Sequence, residues 1–194
     1  NPFVAGPLKR TDCSLVSDGA AAIVLADLET ALRMKKAIAF RARAHVQDFL
    51  PMAKRDILKF EGCSLAWKQA LAKAGIGLDE LSFVETHDCF TIAELIEYEA
   101  MGLVPEGQGA RAIAEGLTQK DGKLPVNPSG GLKAKGHPIG ATGLGQIHEL
   151  VTQLRGEAGP RQVEGARIAL QENGGGLMGI EEAAVAVTIL ARGP

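Results

Sequence analysis

Apolar and polar residues follow two different periods along this chain, and the two periods predict alternating strands and helices. The clearest strand pattern is Ile38–Val46, where every second residue is apolar and Arg41, Arg43 and His45 stand on the opposite, solvent-facing side. Residues 20–26 are apolar without interruption, which is typical of a short strand buried on both faces. Further strands are predicted at residues 81–86, 124–126, 166–171 and 184–190.

Helical spacing or helix-ending signals lie between these strands. They predict helices at residues 29–36, 64–74 and 110–115, between Phe90 and Gly102, and from Thr142 onward. Ser64 is a favourable N-cap for its helix, and Gly75 ends it. The last helix is expected to bury the apolar residues at positions 144, 147, 151 and 154. Strands alternating with helices predict an α/β domain with helices on both faces of a mixed sheet.

The stretch from Val126 to Gly145 contains six glycines, two prolines, one histidine and no acidic residue. Such a composition favours a loop in which the backbone can approach a ligand closely. The loop leads into the predicted helix at Thr142, whose free N–H groups and positive dipole end suit an anion or a carbonyl oxygen. His137 in this setting is a candidate proton carrier. The alternative is a glycine-rich connection that contains a buried histidine.

Two nucleotide-binding motifs are excluded by spacing. Gly131 and Gly136 are separated as in a phosphate-binding P-loop, but His137 and Pro138 stand where that motif needs lysine and serine or threonine. The later glycines at 140, 143 and 145 do not form the dinucleotide-binding pattern.

Composition narrows the class of protein further. The 194 residues suit one domain or a domain with a piece of another, and 46% of them are hydrophobic. The net charge of -2, without a basic cluster, does not indicate a nucleic-acid or membrane partner. No apolar run approaches the roughly 20 residues of a membrane-spanning helix, and no signal-peptide pattern is present. The start at Asn1 is consistent with a fragment or a processed product.

The three cysteines are widely spaced, which argues against a disulfide framework or a zinc site and fits a reducing, cytoplasmic location. Cys13 is interpreted as a packing residue. Cys63 precedes a predicted helix whose dipole could activate its thiol, but a structural role is favoured.

Three predicted loops follow strands: residues 87–90, 127–142 and 172–176. Because ligands of open α/β sheets gather beyond the carboxyl ends of strands, His87, Cys89, His137 and Glu172 are expected to share one pocket. Histidine with cysteine supplies the groups for thiolate chemistry or proton transfer. In the alternative, Cys89 is a buried cysteine at a helix start and His87 caps that helix.

Four motifs in this chain resemble those of the thiolase family. Asn-Pro-Ser-Gly-Gly at 127–131 with Gly-His-Pro-Ile-Gly-Ala-Thr-Gly at 136–143 resembles its C-terminal signature. Ser-Asp-Gly-Ala-Ala-Ala at 17–22 resembles the entry to the last strand of its N-terminal domain. His-Asp-Cys-Phe at 87–90 resembles the branch of sterol-carrier-protein-type thiolases. The resemblance covers essentially this whole chain, but only the C-terminal half of a thiolase.

The resemblance implies an αβαβα family fold. Residues 1–28 would contribute the last strand of the N-terminal domain, and residues 29–194 would form the C-terminal domain with a mixed five-stranded sheet. It implies an acyl-CoA:acetyl-CoA C-acyltransferase that condenses or thiolytically cleaves 3-ketoacyl-CoA. Acyl-CoA and acetyl-CoA would be substrates, no cofactor or metal would be bound permanently, and the protein would form a homodimer or homotetramer.

The resemblance also implies roles for individual residues. His137 would activate a nucleophilic cysteine of the N-terminal domain, His87 would help to form an oxyanion hole, and Cys89 would serve as acid and base at the substrate α-carbon. Ser14 matches a position that contacts coenzyme A. The fragment alone would be inactive, because the segment bearing the nucleophile is absent from this sequence.

One departure from the family pattern leaves other functions open. The usual Cys-x-Gly near the C-terminus is replaced by Glu172, Asn173 and Gly174, so that Cys89 would take over its acid–base work and Glu172 would orient a group or a water. A thiolase-like subunit that binds coenzyme A esters or a partner without thiolase activity is the first alternative. A purely structural domain of a larger complex is the second.

Overall fold

The computed structural model describes residues 1–48, 52–177 and 182–193 of the chain. Its helices are α1 Leu28–Leu32, α2 Glu61–Ala74, α3 Thr91–Ala100, α4 Gly109–Ala114, α5 Gly131–Lys135 and α6 Thr142–Leu154. Its strands are β1 Phe3–Ala5, β2 Leu8–Lys9, β3 Ile38–Gln47, β4 Phe83–Glu85, β5 Ile168–Leu177 and β6 Glu182–Arg192.

In the described part of the chain the central sheet has four strands, in the order β3-β6-β5-β4, and not the five that the resemblance implied. β6 is antiparallel to both of its neighbours, and β4 is parallel to β5, so the sheet is mixed as predicted. The strand predicted at 124–126 is reduced to a single parallel bridge between Val126 and Val84. Pro125 lacks an N–H group and Asn127 turns to a positive φ of 51°, so pairing cannot extend in either direction.

Helices cover both faces of this sheet, as the alternating pattern predicted. Val84 and Leu170 belong to the core that the sheet forms with α2, and Trp67 of α2 is almost completely buried there. Their neighbours Phe83 and Ala169 belong to a second core, which contains Leu150 of α6. Successive residues of β4 and β5 therefore point to opposite helical layers.

α6 begins at Thr142 as predicted, but its buried face is more polar than expected. Leu144 is 37% exposed, whereas Gln146, Glu149 and Gln153 are buried. Each of these polar groups has a hydrogen-bond partner. The amides of Gln146 and Gln153 donate to backbone carbonyls, and Glu149 accepts two bonds from Arg161 at 3.0 Å each. Polar side chains can be buried when they are hydrogen-bonded, and a prediction from the spacing of apolar residues alone places them on the exposed face.

Two predictions about strands are wrong: one predicted strand does not form, and one predicted loop is part of a strand. Residues 20–26 form no strand, and Val24 and Leu25 are 94% and 69% exposed. A strand needs a neighbouring edge for its hydrogen bonds, and no described strand lies beside this segment. Conversely, the predicted loop 172–176 lies inside β5, because β6 pairs with it throughout: Glu172 lies opposite Val187, and Gly174 opposite Val185.

Helix starts and ends differ by a few residues from the prediction. α1 ends at Leu32, and α2 starts at Glu61, so that Ser64 lies within the helix. Gly75 ends α2 in the left-handed conformation, as predicted. Cys63 is buried inside α2, in agreement with a structural role.

Within the described residues, no helix is long and apolar enough to cross a membrane.

Candidate active site

Two of the predicted site residues meet directly. His87 lies in the loop after β4, and His137 lies between α5 and α6. Their ring centroids are 4.9 Å apart and their planes are inclined by 83°. Cys89 follows in the same loop as His87, and its carbonyl accepts a hydrogen bond of 2.8 Å from the backbone N–H of Ser14. The expectation that loops at the carboxyl ends of strands lie together is therefore correct for the loops at 87–90 and 127–142.

His87 is held as a neutral ring that donates from Nε2. The side-chain nitrogen of Asn173 lies 3.0 Å from Nδ1 of His87. Since the amide nitrogen donates, Nδ1 accepts and the ring proton is on Nε2. Burial, together with His137, lowers the pKa of His87 to about 4, against the opposing effect of Asp88. A neutral N–H donor of this kind can stabilise a developing oxyanion without carrying a charge of its own.

His137 has the complementary tautomer. Its Nδ1 lies 2.7 Å from Oγ1 of Thr142, and that hydroxyl donates its proton to the carbonyl of Pro138 at 3.0 Å. The hydroxyl has one proton, so it accepts from Nδ1–H, and Nε2 of His137 keeps its lone pair. Burial lowers the pKa of His137, and Asp88 acts in the opposite direction. His137 is therefore arranged as a base at Nε2.

The N-terminal segment fixes the backbone of His137. Val16 forms a parallel bridge with His137, and Oγ of Ser17 accepts from the His137 N–H at 3.3 Å. Beside these contacts, a cleft of about 450 Å³ lies between residues 17–21 and residues 138–144.

Asp88 connects the two loops that carry the histidines, and the sequence patterns did not single it out. Its Oδ1 accepts from the N–H of Leu132 at 2.6 Å, and its Oδ2 pairs with Nζ of Lys133 at 2.9 Å. Lys133 also pairs with Glu94 at 2.8 Å. α5 is thus tied to the loop of His87 and Cys89 immediately before the chain reaches His137. The one signal in the sequence that could have suggested this contact is a charged residue, Asp88, inside the His-Asp-Cys-Phe motif.

Glu172 lies behind the site, not at its surface. It is completely buried on β5, and its Oε2 accepts from the His87 N–H at 2.9 Å and from the Thr86 hydroxyl at 2.8 Å. Burial raises the pKa of Glu172 to about 7, although the bonds from His87 and Thr86 act in the other direction. Gly174 contributes only backbone pairing to the sheet.

Gln146 of α6 joins the end of β4 to the interior of β5. Its side-chain nitrogen donates to the carbonyls of Thr86 and Glu172, at 3.1 and 3.0 Å. This buried amide is a second positioning group that the apolar spacing of α6 did not reveal. In the described part of the chain, no group of three or more His, Cys, Asp and Glu side chains could hold a metal ion.

The low pKa of His87 predicts a specific pH dependence of stability. The pKa falls from 6.5 in the unfolded chain to about 4 in the folded protein, so the folded state favours the neutral ring. Its contribution is complete above pH 6.5 and is lost as the pH falls toward 4. The difference in free energy of unfolding between wild type and His87→Gln should therefore shrink by about 3 kcal/mol across this window.

Urea titrations at several pH values measure this difference, and His45→Gln, at an exposed histidine of β3, is the matched control. Comparing variants is necessary because Glu172, with its raised pKa, contributes the opposite slope: its stabilisation is lost as the pH rises from 4.5 to about 7. A His87→Gln difference that stays constant with pH would contradict the neutral assignment.

Comparison with known proteins identifies the fold of this site. The family profile described as "Thiolase C-terminal domain-like" matches residues 44–191. The chain is 44% identical over 179 residues to an acetyl-CoA acetyltransferase of Methanothermobacter thermautotrophicus, covering 91% of this chain and 47% of that protein. It is 44% identical over 188 residues to sterol carrier protein 2 of Oryctolagus cuniculus, covering 93% and 34%.

A third relative is the benzoylsuccinyl-CoA thiolase subunit BbsB of Thauera aromatica, 37% identical over 176 residues and covering 89% of this chain and 46% of that protein. The chain thus spans about a third to a half of the length of these relatives. The solved structure of an Ltp2-ChsH2(DUF35) aldolase shares the fold, with a TM-score of 0.81 over 98% of this chain and 49% of that chain at 20% identity. The chain belongs to the thiolase family and contains its C-terminal domain.

Proposed function

We propose that the full-length protein is an acyl-CoA:acetyl-CoA C-acyltransferase that condenses two acyl groups or cleaves a 3-ketoacyl-CoA by thiolysis. The observation that carries the proposal is the contact between a histidine with a free Nε2 lone pair, His137, and a neutral histidine with an Nε2–H donor, His87. A base and an oxyanion donor at one point are the two groups that acyl transfer from a thioester requires.

The first half-reaction transfers an acyl group to a cysteine in the N-terminal half of the protein. His137 Nε2 takes the thiol proton, and the thiolate attacks the thioester carbonyl. The carbonyl oxygen gains negative charge and accepts a hydrogen bond from His87. The C–S bond to coenzyme A then breaks, and the coenzyme A thiolate recovers the proton from His137.

The second half-reaction forms a carbon–carbon bond. Cys89, as a thiolate, removes a proton from the α-carbon of acetyl-CoA, and the carbanion attacks the acyl-cysteine carbonyl. The new bond forms as the C–S bond to the nucleophilic cysteine breaks, which releases that cysteine as a thiolate. The proton held by Cys89 then passes to this thiolate, which restores both groups for the next cycle. Thiolysis is the reverse sequence, with Cys89 returning the proton to the α-carbon.

The proposed organisation places residues 1–28 at the end of the N-terminal domain and residues 29–194 in the C-terminal domain. Val16 and Val24 are 96% and 94% exposed, which supports the proposal that another part of the full-length protein covers these apolar side chains. Ser14 is a candidate contact for coenzyme A, since its backbone already lies against Cys89. A homodimer or homotetramer is proposed from the family alone.

One observation supports a second candidate function, a thiolase-like subunit that binds coenzyme A esters without performing the reaction. Glu172 stands where the family carries a cysteine, and its carboxyl is buried behind His87. The site would then lack one of the usual acid–base groups unless Cys89 supplies it.

Mass spectrometry of the full-length protein distinguishes these two functions. Incubation with acetyl-CoA should add the mass of one acetyl group, and peptide mapping should place it on a cysteine of the N-terminal half. The acetylated protein should then transfer this group to free coenzyme A. A protein that binds acetyl-CoA but gains no mass and does not cleave a 3-ketoacyl-CoA would be the binding subunit.

A further inference from the structure

We propose that Glu85 is a positioning residue for His137, and that it acts by fastening both ends of α5 to the end of β4. α5 covers Gly131–Lys135 and ends two residues before this histidine. The effect of Glu85 on turnover rests on the proposed function, whereas its effect on the position of the His137 ring does not.

Glu85 is the last residue of β4, and its side chain is completely buried. β4 is parallel to β5, and Glu85 lies opposite Gln171 in that ladder. A residue in a paired strand is a firmer reference point than a residue in a loop. His87 follows only two residues later, so a contact made by Glu85 locates its partner relative to the strand that also carries His87.

Ser129 connects Glu85 to the start of α5. Oε1 of Glu85 accepts from the Ser129 N–H at 3.0 Å, and Oε2 accepts from the Ser129 hydroxyl at 2.6 Å. The same hydroxyl oxygen accepts from the N–H of Gly131, the first residue of α5, at 3.2 Å. Because a hydroxyl can donate and accept at the same time, both bonds coexist. The serine of the Asn-Pro-Ser-Gly-Gly motif therefore links the first turn of the helix to β4.

Lys135 connects Glu85 to the end of α5. Its Nζ lies 3.2 Å from Oε2 of Glu85, the oxygen that also accepts from the Ser129 hydroxyl. The carboxylate is completely buried and the lysine side chain is 27% exposed, so the ion pair is partly shielded from water. Gly136 follows with a φ of 100°, and His137 comes next. One carboxylate thus holds both ends of the segment that leads to His137.

Asp88 and Glu85 hold different parts of α5. Asp88 pairs with Lys133, in the middle of the helix, whereas Glu85 reaches the last residue, Lys135. Removal of the Glu85 carboxylate should therefore loosen the end of α5 next to His137 without detaching the whole helix. A base that is displaced from its nucleophile transfers a proton more slowly, and a displacement of about 1 Å can cost about 100-fold in rate.

The position of His137, and not its charge state, is what Glu85 controls. Burial lowers the pKa of His137, and the charge that opposes this effect is that of Asp88. A variant at Glu85 should accordingly lower the rate of acylation and leave the pH midpoint of that rate unchanged. A shifted midpoint with an unchanged limiting rate would mean that Glu85 acts through its charge, and would overturn the positioning role.

Single-turnover acylation of the full-length protein by acetyl-CoA measures the effect on rate. Glu85→Gln keeps one oxygen acceptor for Ser129 but loses the ion pair, and it should acylate about 10-fold more slowly than wild type. Lys135→Met removes the same pair from the other side and should slow acylation about threefold, because the bonds to Ser129 remain. In the double variant the second substitution should add nothing, since both act on one contact. Effects that multiply, or a wild-type rate in Glu85→Gln, would overturn the proposal.

Glu149→Gln is the matched control. Glu149 is a buried carboxylate of α6 that pairs with Arg161 at 3.0 Å, and its charge acts on Glu85. Its hydrogen bonds are to Gln153 and Arg161, outside α5. The control therefore makes the same chemical change in the same electrostatic surroundings, and it should acylate at the wild-type rate. Equal slowing in Glu85→Gln and Glu149→Gln would show that the loss of any buried ion pair is sufficient, which would overturn the positioning role.

NMR of the full-length protein with labelled histidines tests the position of the ring without any reaction. In Glu85→Gln the ring signals of His137 should shift and its nuclear Overhauser contact with His87 should weaken, while the signals of the exposed His45 should stay in place. Ser129→Ala, which releases the start of α5, should shift the same signals and is the second variant if Glu85→Gln does not fold. Unchanged His137 signals would overturn the positioning role. If wild type forms no acyl-enzyme but the His137 signals shift, the positioning role is supported and only the proposed reaction is refuted.

Discussion

Replacing His137 by alanine in the full-length protein should slow acylation by acetyl-CoA by about 10²- to 10⁴-fold, because a positioned general base contributes this much. The reason lies in the hydrogen bonds around the ring. The Thr142 hydroxyl accepts a hydrogen bond from Nδ1–H and donates one to the carbonyl of Pro138, so the lone pair of this imidazole is on Nε2. The alanine variant leaves the thiol of the nucleophile without an acceptor for its proton.

Single-turnover acylation followed by mass spectrometry measures this step directly, before the later carbon–carbon chemistry. His148→Ala is the matched control, because His148 is an exposed histidine on the neighbouring helix α6 and should acylate at the wild-type rate. Thr142→Val gives an intermediate case, since the base remains but its tautomer is no longer enforced. If His137→Ala acylates as fast as His148→Ala, the proposed base is wrong.

The position of the candidate site followed from simple rules, because these rules concern local sequence. Ile38–Val46 alternates, and β3 indeed buries Ala42, Ala44 and Val46 against the core. The loops at 87–90 and 127–142 were expected to lie together because both follow the carboxyl ends of predicted strands. The contact between His87 and His137 confirms that these two loops meet. Local spacing is sufficient where each element has one buried face.

Pairing between distant segments could not be predicted in the same way. Residues 20–26 have the composition of a buried strand, but no described strand lies beside them. Glu172 and Gly174 have the composition of a turn, but β6 pairs with them and the strand continues. Strand formation depends on the neighbouring edge, and a single sequence does not state which edge is available.

The polar contacts that orient the site were equally hidden. Thr142 was identified only as the start of a helix, and Asp88 only as part of a motif, although both act on the histidines. Their partners, His137 and Lys133, are fixed by how three loops fold against each other. The residue types were visible in the sequence, but their hydrogen-bond partners were not.

Replacing Gly131 by alanine should lower the free energy of unfolding by about 3 kcal/mol or more, through backbone strain and the loss of a buried ion pair. Gly131 has a φ of 69°, which is unfavourable for alanine. The added Cβ would lie 2.1 Å from Oδ2 of Asp88. Asp88 would have to move, and its bonds to Leu132 and Lys133 would break.

Gly145→Ala makes the same chemical change inside α6, where the new methyl group meets no atom within 4 Å. This variant should instead gain about 0.5 to 1 kcal/mol, because alanine favours the helix. Urea unfolding of both variants measures the two signs. Since Asp88 joins the loop of His87 to the helix before His137, only Gly131→Ala should also reduce acylation. Equal stability of the two variants would show that Asp88 can shift without cost, and equal acylation rates would show that the histidines do not depend on this contact for their arrangement.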